Sequence, residues 1–382
     1  MRTNIAFVHA GFPGGGAERI TKDIALYLNS FKDRYKVFVF TRNIHEALLT
    51  PAHTANITIV KLSNASAQEI IQQVHAHQIN ILVQSSFPLK DISRIKKETG
   101  IKVVFACHEE PFWRRYLTKQ RGLFNRIIYK ILPKSHKLKF AWKLAVDWTI
   151  DAYKTCDAFV VLCKEYVEIV RKGLKLDQKH HIHAIENPEY KRAKINLKKD
   201  KIVLYSGRLD QMSKQLDKLL RIWKLVQDRL PEWTLIISGD GPDKEFLHTK
   251  AAELNLVRCN FIGQQTDMQK WYDKSSIVCL TSRTEGWPLC MTEAQASGCI
   301  CVAFGCTAGV VDILSPSEDG ICGFVVNPYD EQAYADTLIS IAEMTESESE
   351  KIRINSVKKR SGYIPEIIAE KWRLLFDNLH SV

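Results

Sequence analysis

The sequence predicts an α/β protein made of two doubly wound domains. Three observations predict it. Short apolar, β-branched runs alternate with amphipathic stretches along most of the chain, the pattern of parallel sheets covered by helices on both faces. The alternation breaks once, at Asn187-Pro188, and then resumes. The length of 382 residues exceeds one ordinary core and suits two domains of roughly 150–200 residues.

In the first half, strands are expected at Asn4–His9, Tyr35–Thr41, Ile57–Lys61, Ile79–Gln84, Ile101–His108, Asp157–Cys163 and His181–Ile185. Helical periodicity lies between most of them, at Gly16–Leu28, Ala67–His77, Asp91–Glu98 and Lys164–Lys172, with Gly173 as the stop of the last. Residues 189–200 are polar, lysine-rich and aperiodic, and read as a linker. A second series of strands follows at Ile202–Ser206, Trp233–Ser238, Cys259–Ile262, Ile277–Thr281, Ile300–Phe304 and Gly323–Val326. Its helices are expected at Lys214–Leu230, Lys244–Glu253, Pro288–Ser297 and Glu331–Glu343. The last helical pattern, Ile364–Leu379, has no strand after it and is free to cross back to the first domain. The expected division is 1–188 and 189–363, with a returning helix in 364–382. Ligands belong at the carboxyl ends of the strands, in the cleft between the domains.

Composition narrows the class. Apolar residues make up 45% and charged residues 25%, ordinary for a soluble globular protein. No apolar run approaches the ~20 residues that span a bilayer. Ile5-Ala6-Phe7-Val8 reads as a first buried strand rather than a signal peptide. The ten cysteines form no C-x-x-C pair and no zinc-ligand spacing, so they read as buried thiols in a reducing, cytoplasmic compartment. The net charge of +11 calls for an anionic partner: nucleic acid, phosphorylated substrate or acidic lipid.

Several segments have phosphate-binding character. After the first strand comes Gly11-Phe12-Pro13-Gly14-Gly15-Gly16-Ala17-Glu18-Arg19. A glycine loop opening a helix lets backbone approach a phosphate, with free N–H groups and a positive dipole end; a plain tight turn is the alternative. It is a poor dinucleotide fingerprint, because Arg19 holds the third glycine position and the second strand ends in Thr41-Arg42 rather than an acid. The second domain opens with Ser206-Gly207-Arg208-Leu209 and then Lys214, a planar fork and a point charge suited to a diphosphate. Ser238-Gly239-Asp240-Gly241-Pro242 reads as a structural turn.

The most informative stretch runs from Thr281 to Ala294. Pro288 suits the first turn of a helix stopped by Gly298, which puts Glu285 in the preceding loop and Glu293 on the helix. Backbone N–H groups near Leu289 and Cys290 are expected to face the cleft. Two carboxylates able to grip vicinal sugar hydroxyls thus flank an anion-binding helix end.

At these residues the chain resembles a family. Glu285 and Glu293, with seven residues between them, resemble the E-x7-E motif of retaining GT-B glycosyltransferases, specifically glycosyltransferase family 4. Gly14–Arg19, Asn187-Pro188, Ser206–Leu209 with Lys214, and Asp319-Gly320 with Gly323–Val326 fit it in order, so the resemblance spans nearly the whole chain. It implies the GT-B fold, two Rossmann-like domains facing across a cleft, the first binding the acceptor and the second a nucleotide-sugar donor. It implies that Arg208 and Lys214 hold the donor diphosphate, that Glu293 binds the ribose, and that Glu285 and His108 lie at the transferred sugar. Gly15 and Gly16 approach the diphosphate, and Gly286, Pro288, Leu289 and Cys290 complete the donor loop. It also implies front-face attack with retention, without a metal or other cofactor; no Asp-x-Asp follows a strand, while cations and a helix end are available. Two departures stand out. Asp312 takes the place of a usual glutamate, and Gln215 follows Lys214 where a glycine is usual.

Residues 111–146 carry ten lysines and arginines and no acid, with Phe112, Trp113, Tyr116, Phe124, Tyr129, Phe140 and Trp142 interleaved. Leu123, Phe124, Ile127, Ile128, Ile131 and Leu132 share one helical face, with Arg126 and Lys130 off it. Such a basic amphipathic helix fits an anionic membrane surface, with Arg114, Arg115, Arg126 and Lys130 as contacts. A core-packing helix with a solvated basic face and a nucleic-acid surface are the rival readings; the membrane is favoured and nucleic acid is not expected. The sequence therefore points to a retaining hexosyltransferase at the inner face of the cell membrane, using a lipid-diphosphate-linked glycan in capsule, lipopolysaccharide or other surface-polysaccharide synthesis. A catalytically inactive nucleotide-sugar-binding or regulatory protein of the same fold is the alternative. The missing acid and imperfect glycine pattern disfavour an NAD-dependent oxidoreductase.

Overall fold

The computed structural model describes residues 2–31, 34–84, 91–115, 132–178, 180–190, 192 and 195–380. The chain divides into two compact units. Unit 1 comprises Met1–Pro188 with Pro365–Val382, and unit 2 comprises Glu189–Ile364.

Among the described residues, unit 1 runs β1 (Thr3–Phe12), α1 (Gly16–Asn29), β2 (Tyr35–Ile44), α2 (Pro51–Asn56), β3 (Thr58–Lys61), α3 (Ala67–Ala76), β4 (Ile81–Gln84), α4 (Ile92–Thr99), β5 (Lys102–Ala106), α5 (Lys134–Thr155), β6 (Ala158–Val161), α6 (Lys164–Leu174) and β7 (Ile182–Ala184). Its seven strands are all parallel, in the order β3-β2-β1-β4-β5-β6-β7. β4, β5 and β6 are almost wholly buried, which is why their sequences read as unbroken apolar runs.

Gly173 does not stop α6, as the sequence suggests; the helix passes through it and ends at Lys175 in the left-handed region (φ 56°). A Cβ on Gly173 would stand 2.5 Å from the ring of Phe112, so this glycine makes room for a buried aromatic. A helix-interior glycine costs about 1 kcal/mol against alanine, which burial of the ring offsets.

Unit 2 runs β8 (Asp200–Ser206), α7 (Leu216–Val226), β9 (Thr234–Ser238), α8 (Lys244–Glu253), β10 (Cys259–Gly263), α9 (Gln269–Lys274), β11 (Ser275–Leu280), α10 (Leu289–Ala296), β12 (Ile300–Phe304), α11 (Ala308–Leu314), β13 (Phe324–Val326), α12 (Glu331–Ala342) and α13 (Glu346–Ser361). The sheet is parallel in the order β10-β9-β8-β11-β12-β13. The strand order therefore reverses between β8 and β11, where a doubly wound sheet opens a crevice at its carboxyl edge. The core beneath is built by α7, whose Leu216, Leu219, Leu220, Ile222, Trp223 and Val226 are buried with strand residues such as Val203, Tyr205 and Ile277. The Trp223 indole N–H donates to the Val257 carbonyl at 2.9 Å, so its polar atom is satisfied.

The expected linker is no free tether. Lys199 donates to the carbonyls of Tyr272, Asp273 and Ser297, Arg353 donates to that of Leu197, and the strand already begins at Asp200. The final helix, α14 (Pro365–His380), packs within unit 1. Tyr27 donates to Glu370 at 2.9 Å, Arg34 donates to Asp377 at 2.9 Å, and Phe376 meets Phe7 edge to face. No helix among the described residues is long and apolar enough to cross a membrane.

Candidate functional site

The two loops at the switch point of unit 2 carry the residues singled out in the sequence. The β8–α7 loop bears Arg208 and Lys214, and the β11–α10 loop bears Glu285. The Lys214 ammonium donates to Glu285 Oε1 at 2.6 Å, and the Ser282 hydroxyl donates to the same oxygen at 2.6 Å. Glu285 is buried, so the pairing supplies the partner that a buried carboxylate needs. The expected helix from Lys214 starts two residues later, at Leu216. Lys214 and Gln215 remain loop, and Gln215 adopts φ 50°, ψ 47°. Left-handed backbone costs a non-glycine residue roughly 1–2 kcal/mol, which accounts for the glycine usual at this position.

Pro288 is the N-cap of α10 rather than a residue inside its first turn, and Leu289 opens the helix. Glu293 follows one turn on and accepts from the Tyr272 hydroxyl at 3.1 Å. Burial, with the Glu293 carboxylate beside it, holds the Tyr272 pKa well above the ordinary phenol range, so it stays a donor. Cys290 lies between the carboxylates; burial, and Glu285 next, push its thiol up to about 12, which keeps it neutral. The rear of α10 is anchored by Thr292, whose hydroxyl donates to buried Glu189 at 2.9 Å, while Arg192 donates to the same carboxylate at 3.1 Å.

Arg208 has a different neighbourhood. Its side chain is 67% exposed, 3.9 Å from Asp210, and lines a cavity of about 380 Å³ with Ser206, Ser238, Gly239, Gln264 and Gln265 among others. Ser238, Gly239 and Asp240 of the Ser238–Pro242 turn, expected to be structural, thus also form a wall of that cavity.

In unit 1, His108 follows β5. Burial lowers its pKa to about 4, so its imidazole is neutral near pH 7, and its Nδ1 is buried without a hydrogen-bond partner among the described residues. Gly15 and Gly16 lie where β1 passes into α1, but the space beside Gly15 is taken. A Cβ there would stand 2.5 Å from Glu18 Oε2. Glu18 folds back over the loop and pairs with His9 at 3.4 Å, and His9 also contacts the Thr21 hydroxyl at 2.9 Å. The loop therefore presents a carboxylate as well as N–H groups.

The basic segment differs from expectation. Arg126 and Lys130 lie outside the described residues. Arg115 pairs with Glu110 and its guanidinium stands 5.4 Å from the Trp142 ring centre, and Arg114 stacks on Trp148 at 3.9 Å. Both are engaged within unit 1. The surface nearby belongs to α5, where Leu138 is 71% exposed and Trp142 40%, with Lys139 and Lys143 also exposed.

Sequence reasoning missed Tyr272, Ser282, Glu189 and the His9–Glu18 pair. Ser282 and Glu18 stand inside the quoted motifs, and His9 closes the first expected strand, which runs on to Phe12 in the structure. Tyr272 and Glu189 carry no local signal.

The two parallel, doubly wound units define a GT-B protein. Residues 187–359 match the family described as glycosyl transferases group 1. An uncharacterized glycosyltransferase of Haemophilus influenzae is 33% identical over 258 residues, covering 66% of this chain and 70% of that one. The Campylobacter jejuni GalNAc-alpha-(1->4)-GalNAc-alpha-(1->3)-diNAcBac-PP-undecaprenol alpha-1,4-N-acetyl-D-galactosaminyltransferase is 26% identical over 229 residues, 58% of this chain and 60% of that one. The crystal structure of Anabaena Alr3699/HepE in complex with UDP and glucose has the same fold, with a TM-score of 0.73 at 16% identity over 99% of this chain and 100% of that one. The chain belongs to the glycosyl transferases group 1 family and is a glycosyltransferase.

Proposed function

We propose that the chain transfers a hexosyl unit, with retention, from a nucleotide-diphosphate donor to a lipid-diphosphate-linked glycan in surface-polysaccharide synthesis, capsule or lipopolysaccharide being the class. The observation that carries this reading is the Lys214–Glu285 contact beside Glu293 and the α10 N-terminus: a cation and two carboxylates gathered at an end that attracts phosphate. The diphosphate is assigned to Arg208, Lys214 and the N–H groups of the loop and helix start at Gly286, Leu289 and Cys290. Its oxygens compete with Glu285 for the Lys214 ammonium, which frees Glu285 to accept from hydroxyls of the transferred sugar. Glu293 is assigned to the ribose and the cavity beside Arg208 to the base. His108 is assigned to the transferred sugar, and Gly15 and Gly16 to the diphosphate.

The bond from the sugar's anomeric carbon to the phosphate oxygen breaks while the acceptor oxygen bonds on the same face. The acceptor's proton passes to the departing phosphate oxygen. Preorganised cations and a helix end meet the charge that develops there, so no divalent ion is required. The lipid-linked acceptor is supported by the undecaprenol-linked substrate named for the Campylobacter relative. The reaction is placed at the cytoplasmic face of the membrane, with the exposed face of α5 toward anionic lipid.

Incubation with UDP- and GDP-sugars and a lipid-diphosphate acceptor tests the reading. One donor should be consumed, the new linkage should keep the donor's anomeric configuration, and turnover should survive EDTA. Binding of a nucleotide sugar without any turnover would favour the inactive homologue instead. An inverted product would remove the front-face mechanism.

A further inference from the structure

We propose that Arg283 and Gln215 form a lock in which Arg283 is a positioning residue that holds Lys214 against Glu285. The inference rests on the donor-site reading above. Lys214 and Glu285 sit on separate loops, 71 residues apart in sequence, and no covalent feature sets their separation. Backbone contacts on either side of Lys214 do so. The Arg283 N–H donates to the Ser213 carbonyl at 2.7 Å, and the Thr281 hydroxyl reaches the carbonyls of Lys214 at 3.2 Å and Gln215 at 3.3 Å. The β11–α10 loop thereby grips three consecutive carbonyls of the β8–α7 loop.

The left-handed Gln215 is the weak point of that grip. A glycine adopts φ 50° without a steric penalty, whereas glutamine must be held there. The holder is Arg283. With the amide oriented to suit its surroundings, the Gln215 side-chain oxygen accepts from Arg283 Nε at 3.2 Å and from its terminal nitrogen at 2.9 Å. The guanidinium fork meets one carbonyl oxygen with two donors, a geometry that lysine cannot reproduce. Gln215 is buried, so losing the arginine strands its amide oxygen. The glutamine strains the backbone next to Lys214 and at the same time supplies the side-chain anchor that a glycine lacks. The two residues therefore act as one unit, and their substitutions should fail to add.

The test compares wild type, Arg283→Ala, Gln215→Gly and the double variant by donor kcat and KM and by melting temperature, with Arg283→Lys and Lys214→Ala alongside. Arg283→Ala should lower kcat by about tenfold while donor KM moves less than about threefold, because the ammonium is displaced rather than removed. Gln215→Gly should lose less than about threefold, and the double variant should be no worse than Gln215→Gly. Arg283→Lys should fold and recover only part of kcat, which also covers the case that Arg283→Ala does not fold. Multiplying losses in the double variant would overturn the lock and make Arg283 an independent contributor. So would a lower melting temperature with kcat intact. If Lys214→Ala is impaired and Arg283→Ala is not, only the lock fails; full turnover by Lys214→Ala would instead remove the donor-site reading beneath it.

Discussion

Lys214 and Glu285, 2.6 Å apart, neutralise each other in a site where an unpaired charge is costly. Removing the ammonium leaves Glu285 with the Ser282 hydroxyl and takes a cation from the place assigned to the leaving phosphate. Lys214→Ala should therefore lower kcat by about 10²–10³, the loss typical of a preorganised charge-stabilising group, with a smaller change in donor KM. Steady-state kinetics at saturating acceptor checks it; a change confined to KM would mean that Lys214 only binds. Lys214, Glu285 and Glu293 are legible in the sequence because a loop acid, a helix acid and a cation at strand ends have positions that local patterns fix. Their partners are not. Tyr272 reaches Glu293 from a short helix 21 residues away and reads as a core aromatic until the fold brings the two together. Gln215 is visible as a departure, but its left-handed backbone and its arginine exist only in three dimensions.

Each of the thirteen strands found among the described residues coincides with an expected one to within a few residues. The inner strands read as apolar runs because burial on both faces leaves little room for polar positions, whereas the edge strands β3 and β10 hold no buried residue. The helices at Pro51–Asn56, Gln269–Lys274 and Ala308–Leu314 were missed; six or seven residues hold too little periodicity to read. α13 was missed for another reason. Its buried face is largely polar, with Ser349, Arg353, Asn355, Ser356 and Arg360, and the first residues of its C-terminal half are tied to carbonyls, such as Ser356 to Cys322 at 2.7 Å. α5 is the element on which the membrane assignment now rests, through exposed Leu138 and Trp142 one turn apart and exposed Lys139 and Lys143 beside them. Leu138→Glu with Trp142→Glu should abolish co-sedimentation with phosphatidylglycerol vesicles at low salt while leaving donor hydrolysis in solution intact. Undiminished binding by that variant would move the contact elsewhere.

At the scale of the molecule, titratable groups are unevenly shared. Of the twelve histidines only His248 falls within Glu189–Ile364. In unit 1, burial lowers the pKa values of His53, His108, His181 and His183, to about 4 for His108. A histidine whose folded pKa lies below its unfolded value takes up a proton on unfolding. Its contribution to stability is complete above the unfolded value, near 6.5, and drains away as pH falls toward the folded one. Hydrogen exchange corrected for intrinsic rates should therefore show unit 1, around β5, β6 and β7, losing protection between pH 7.0 and 5.5 while unit 2 keeps it. Equal loss in both units would contradict this account. Unit 2 has a further property. It is one unbroken segment whose two ends meet, the Glu189 N–H donating to the Tyr363 carbonyl at 2.7 Å. A segment that leaves and re-enters its host at one point is a natural unit of recombination. A gene for another member of the family can exchange it whole, because both joints fall at a single place and unit 1 keeps its own strands and its returning helix.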